Sequence, residues 1–74
     1  MIKWDETRPK WEQVAEVYRG KIQSGELPPG SRLPSVVSLT REFDISHVTA
    51  QKVLVALREE GLTKTTPGMG SFVK

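Results

Sequence analysis

Between positions 46 and 52 the chain gathers Ser46, His47, Val48, Thr49, Gln51 and Lys52: two hydroxyls, an imidazole, a carboxamide, an ammonium and one branched apolar side chain. These groups donate and accept hydrogen bonds and carry charge; little about them suggests bond-breaking chemistry. His47 is the only histidine, there is no cysteine, and no Ser-Asp pairing recommends itself around the imidazole. Gly68-Met69-Gly70 leads into an extended segment rather than a helix, so it is not a dinucleotide fingerprint. No enzyme activity, cofactor or metal site is expected. The plain alternative for His47 and Lys52 is a solvated helix face.

Whether these residues face outward depends on the stripe behind them. Ala50, Val53, Leu54 and Leu57 recur at i, i+3, i+4 and i+7, which predicts a helix with Ser46 as its N-cap and Gly61 as its stop. That stripe faces a core and leaves His47, Val48, Gln51 and Lys52 outside, with Thr49 at the margin. A second helix is predicted from about Val36 to Phe43, capped by Ser35, with Pro34 fixing the approach and Leu39 and Phe43 turned inward. The first helix carries Trp11, Val14, Ala15, Tyr18 and Ile22 on one face, with Pro9 at its start and Gly25 just past its end. Gly20 inside that helix suggests a close approach of another element. Between the first two helices, Gly25 to Ser35 reads as a linker: a helix stop, a Pro-Pro-Gly turn, then the short extended piece Arg32-Leu33.

Length and charge bound what such a module can be. A chain of 74 residues makes one small domain that buries about 60% of its unfolded surface, and without cysteine its core rests on apolar packing alone. No apolar run approaches the roughly 18 residues of a membrane span, and Met1 to Glu6 lacks the order of a signal peptide, so a cytoplasmic protein with no membrane partner is expected. The net charge of +2 is modest. Its distribution is uneven: positions 45–58 and 61–74 contain no acid but hold Lys52, Arg58, Lys64 and Lys74. Charge of this kind argues association rather than identity.

Two helices joined across only Asp44 and Ile45 predict a helix-turn-helix, whose second helix can project its first turns into a DNA major groove. Helix pairs with short turns are also common in all-α domains. The tail adds a further element. Leu62 to Thr66 is rich in β-branched residues, Pro67 to Gly70 is a turn cluster, and Ser71-Phe72-Val73 is a second strand, which together predict a hairpin, or wing. Its glycines satisfy turn dihedrals and also let backbone N–H groups approach a phosphate.

The order of these features resembles the DNA-binding domain of the GntR family of bacterial transcription regulators. The resemblance runs from Pro9-Lys10-Trp11-Glu12-Gln13-Val14-Ala15, through Ser24 to Ser35, to Glu42-Phe43-Asp44-Ile45-Ser46, Thr49-Ala50, Val53-Leu54, Leu57, Glu60-Gly61-Leu62 and Gly68 to Val73. The opening helix looks most like the HutC-type branch. What the resemblance implies is a mainly α winged helix-turn-helix with a short strand and a two-stranded wing. It implies a repressor that binds a two-fold operator as a dimer and is released by a small effector. An arm over residues 1–8 precedes the domain at 9–74, with the helix-turn-helix at about 36–55 and the wing at about 62–73. In the family an effector-binding, dimerising domain normally follows the wing, and some members carry a pyridoxal-phosphate enzyme domain; neither is expected within these 74 residues.

Helix geometry and these matches together nominate the site. Ser46 and the first-turn N–H groups would hold a phosphate, Thr49 would add a hydroxyl contact, and Gln51 is the base reader. His47 would meet a base edge or phosphate, Val48 a thymine methyl and Lys52 a phosphate, while Lys64 with Gly68, Met69 and Gly70 would line the backbone or minor groove. Arg32 and Ser35, near the start of the second helix, are secondary phosphate contacts. The family commonly has Glu then Arg where this chain has Val36 and Val37, and arginines where it has His47 and Gln51. Less guanine readout is expected, since glutamine pairs best with adenine. A different class of function is a winged helix that binds protein or dimerises through Val36, Val37, Val48 and Val55; a nearer alternative is a small plasmid- or phage-type DNA binder without an effector domain.

Overall fold

The computed structural model describes residues 3–74, so Met1 and Ile2 of the expected arm lie outside it. Three helices, α1 (Lys10–Gln23), α2 (Val36–Phe43) and α3 (His47–Glu59), are followed by an antiparallel hairpin of β1 (Thr63–Thr66) and β2 (Gly70–Val73). This is a winged helix-turn-helix, as the sequence predicts. No helix among the described residues is long and apolar enough to cross a membrane.

The core forms where the three apolar stripes meet. Val14 and Ala15 of α1, Leu39 of α2 and Ala50, Val53 and Leu57 of α3 are wholly excluded from water, and Leu33, Ile45 and Val73 close the cluster. Phe43 packs edge-on against Tyr18 at 6.1 Å between ring centroids, tying α2 to α1. At the far end of α3, the Arg19 guanidinium forks onto Glu60 at 2.6 and 2.7 Å and holds that carboxyl below its ordinary range. Such a partly exposed pair contributes at most about 1 kcal/mol to holding the two helices together.

Helix ends follow local chemistry. The Ser35 hydroxyl accepts from the Ser38 N–H and the Ser46 hydroxyl from the Thr49 N–H, both at 3.1 Å. Asp44 turns the chain between α2 and α3 in the left-handed region at φ 53°. Gly61, at φ 79°, ends α3 by donating to the Arg58 carbonyl while Leu62 donates to that of Leu57. Gly20 corrects the expectation of close packing: it is exposed, and a Cβ built there meets nothing within 4 Å.

The arm before α1 is docked by a side chain that reads as surface polar in sequence. Gln13 is buried, accepts from the Asp5 N–H at 2.7 Å and donates to the carbonyls of Asp5 and Arg8 at 2.8 and 3.0 Å. Trp4 packs at the core edge with the Lys10 ammonium 5.2 Å above its ring.

Candidate nucleic-acid interface

Ser46 positions the start of α3 twice over, because its hydroxyl accepts from the Thr49 N–H and donates to Thr49 Oγ1 at 2.9 Å. Both hydroxyls are thereby engaged with each other. The first-turn N–H groups left for an anion are those of His47 and Val48, at the positive end of the helix. His47, Val48, Gln51 and Lys52 are all exposed beside them, and Thr49 is half-buried.

Gln51 stands on the side of α3 that faces the wing. It shares an open groove with Leu54, Val55 and Arg58 of α3, Val36 at the start of α2, and Thr65 and Ser71 of the wing. Lys52 lies on the opposite flank, in a hollow with Trp11, Val55 and Ala56. Three elements therefore converge on one surface: the first turn of α2, the exposed face of α3 and the inner face of the hairpin.

The wing is built by a turn in which Met69 N–H donates to the Thr66 carbonyl at 3.0 Å, with Pro67 second and Gly68, at φ 78°, third. That is the residue order a type II turn requires. Gly68 and Met69 are exposed at the tip. Lys64 pairs with Phe72 across the hairpin, and Phe72 is bridged in turn to Arg32. Directly opposed residues share a face, so Lys64 and Arg32 project from the side of the sheet away from Gln51, whereas Thr65 and Ser71 face the groove.

Arg32, in the extended piece that leads into α2, is thereby also joined to the wing. Its extended segment joins the hairpin edge through Leu33 N–H to the Ser71 carbonyl and Val73 N–H to that of Ser31, at 2.9 and 2.8 Å. Its guanidinium lies against Gly70, where a Cβ would come within 3.3 Å of Nε. Gly70 thus makes room for the arginine. Ser35 stays at the α2 start, its hydroxyl paired with Ser38 at 3.1 Å.

Among the described residues, the ion pairs engage Arg8, Arg19 and Lys21, and none engages Arg32, Lys52, Arg58 or Lys64. Arg58 was not among the expected contacts, although its acid-free window and its spacing of seven from Gln51 place both on one helix face. Thr65 was also missed, since its inward direction depends on the hairpin register.

The family model described as bacterial regulatory proteins, gntR family, matches residues 10–73. The chain belongs to this family. Similar proteins include the mannosyl-D-glycerate transport/metabolism system repressor MngR of Escherichia coli, 37% identical over 90% of this chain and 28% of the relative. The histidine utilization repressor of Klebsiella aerogenes is 37% identical over 88% of this chain and 27% of the relative. The chain spans little more than a quarter of the length of these curated relatives. Among solved structures, AraR(DBD) in complex with operator ORR3 superposes with a TM-score of 0.86 and 28% identity, over all of this chain and 89% of that one. This gntR-family domain presents His47, Val48, Gln51 and Lys52 on the exposed start of α3.

Proposed function

We propose that this chain is a sequence-specific double-stranded DNA-binding module of a bacterial transcription regulator, acting most directly as a repressor on a two-fold operator. The observation that carries the proposal is the capped, outward-facing start of α3 beside a wing, in a fold shared with an operator-bound relative. In this reading α3 enters the major groove, the N–H groups of His47 and Val48 receive a phosphate, and Gln51 reads a base edge. Thr49 orders the cap, and Lys52 supplies charge on its flank. Lys64, Arg32 and the Gly68 to Gly70 tip follow the backbone or minor groove. Two copies occupy the two half-sites, and a small effector releases them. The module is cytoplasmic, with the DNA it reads, and is not itself an enzyme.

The test is an amide chemical-shift titration of the 74-residue chain with a short generic duplex at low salt, followed by back-titration with salt. Shifts concentrated at positions 46–52 and 67–71 and reversed by salt support the proposal. Absent or evenly spread shifts overturn it and favour a protein partner on the exposed valines. Gln51→Ala is expected to remove about 1–3 kcal/mol of discrimination at one base pair, read as relaxed preference at that position in a binding selection. An unchanged preference would remove Gln51 from base reading.

A further inference from the structure

The groove between α3 and the wing holds a cation that the DNA contacts described above leave unused. Gln51, Leu54, Val55 and Arg58 line it on the helix side, and Thr65 and Ser71 on the hairpin side. Arg58 is exposed and, among the described residues, has no ion-pair partner. The acids that follow it in sequence do not neutralise it: Glu60 is taken by Arg19 at 2.6 Å, and no ion pair joins Glu59 to Arg58. Across the groove, the Thr65 and Ser71 hydroxyls lie 3.3 Å apart and share one hydrogen bond. When the buried Ser71 hydroxyl donates, the O–H of the exposed Thr65 is left to point into the groove. A guanidinium on one wall and a hydroxyl donor on the other, with apolar side chains between them and no carboxylate in the lining, form a site for an anionic oxygen.

From this, and resting on the DNA-binding reading above, we propose that Arg58 and Thr65 grip a phosphodiester of the backbone strand that runs between α3 and the wing. The length of α3 suits this. Eleven positions separate His47 from Arg58, about 16 Å of helix axis, against about 12 Å for the width of the major groove. A helix whose first N–H groups rest on one phosphate wall, and whose Gln51 reaches base edges, carries Arg58 out to the opposite wall. Arg58 stands on the same face as Gln51, two turns further on, so both point into the groove together. Lys64 and Arg32 leave the hairpin on its other side, so the wing meets this strand with hydroxyls on one face and cations on the other. The contact supplies affinity and register and carries no sequence information.

The probe is a short duplex enriched from a random pool at low salt by the 74-residue chain, with binding followed by fluorescence anisotropy over a series of salt concentrations. Arg58→Gln is expected to flatten the plot of log affinity against log salt by about 0.9, the release of one counterion, and to leave the enriched sequence unchanged. Arg58→Lys keeps the charge and should keep the slope. Thr65→Val removes only the hydroxyl, so affinity should fall about fivefold with the slope unaltered. Lys21→Gln makes the same change of charge in the last turn of α1, where the lysine pairs with Glu26 at 3.6 Å, and should leave the slope as it is. An unaltered slope in Arg58→Gln, or an equal flattening in Lys21→Gln, would overturn the grip on the strand while leaving DNA binding intact. Inorganic phosphate titrated without DNA should leave the Arg58 and Thr65 amide signals in place; saturable movement would make a free phosphate the occupant and overturn the strand. Failure to enrich or bind any duplex at low salt would overturn the DNA-binding reading and this inference with it.

Discussion

Thr63 and Gln13 show how differently a buried polar side chain can be treated in one small core. The Thr63 hydroxyl is sealed between the hairpin and α3 with no hydrogen-bond partner, whereas the Gln13 amide is fully used by the arm. An unpaired buried hydroxyl costs roughly 1–3 kcal/mol, and valine has nearly its shape and a strong preference for strands. Thr63→Val is therefore expected to stabilise the domain by about 1 kcal/mol, seen as a higher urea midpoint at unchanged slope. A lower midpoint would mean that the hydroxyl finds a partner after all. Neither residue was legible as buried from sequence. Gln13 reads as polar beside an apolar stripe, and only the return of Asp5 and Arg8 over α1 turns its position inward.

The elements were legible wherever their determinants are local. Ser35 and Ser46 as caps, Gly25 and Gly61 as stops, and the Pro67-Gly68 turn each act through a few neighbouring residues, and each falls where the sequence places it. The contact of Arg32 with the wing was not legible because Gly70 and Phe72 lie some forty positions away, and only the pairing register brings them together. The glycines of the helices show the same limit. Gly61 must be glycine because its φ of 79° strains any other residue, while Gly20 is exposed and unconfined within α1. Gly20→Ala should then stabilise by about 0.5–1 kcal/mol, and Gly61→Ala should destabilise by about 1 kcal/mol or more. Thermal unfolding of the two variants checks this directly: midpoints moving in the same direction would contradict the contrast in backbone geometry.

At the scale of the whole molecule, α1 and α2 are held together at Tyr18, which is also where stability should respond to pH. Burial, reinforced by the neighbouring Glu42 carboxylate, pushes the Tyr18 phenol up to about 12 from an ordinary value of 10.0. The sign follows from linkage: the unfolded chain releases this proton near pH 10 and the folded chain does not until near pH 12. The Tyr18 contribution is thus intact below pH 10 and is lost progressively between those limits, by on the order of 2 kcal/mol. Lysines titrate in the same range, so the informative quantity is a difference between proteins. Tyr18→Phe keeps the ring against Phe43 and removes the ionisation, giving up only a long 3.5 Å hydrogen bond to Glu42. Urea unfolding at pH 9 and pH 11 should show the wild type losing more stability than the variant over that interval. Equal losses would mean that the phenol ionises as readily in the folded chain as in the unfolded one. Because this joint packs behind the α2–α3 turn, the same alkaline loosening should degrade the rigid presentation of α3 on which any reading of DNA depends.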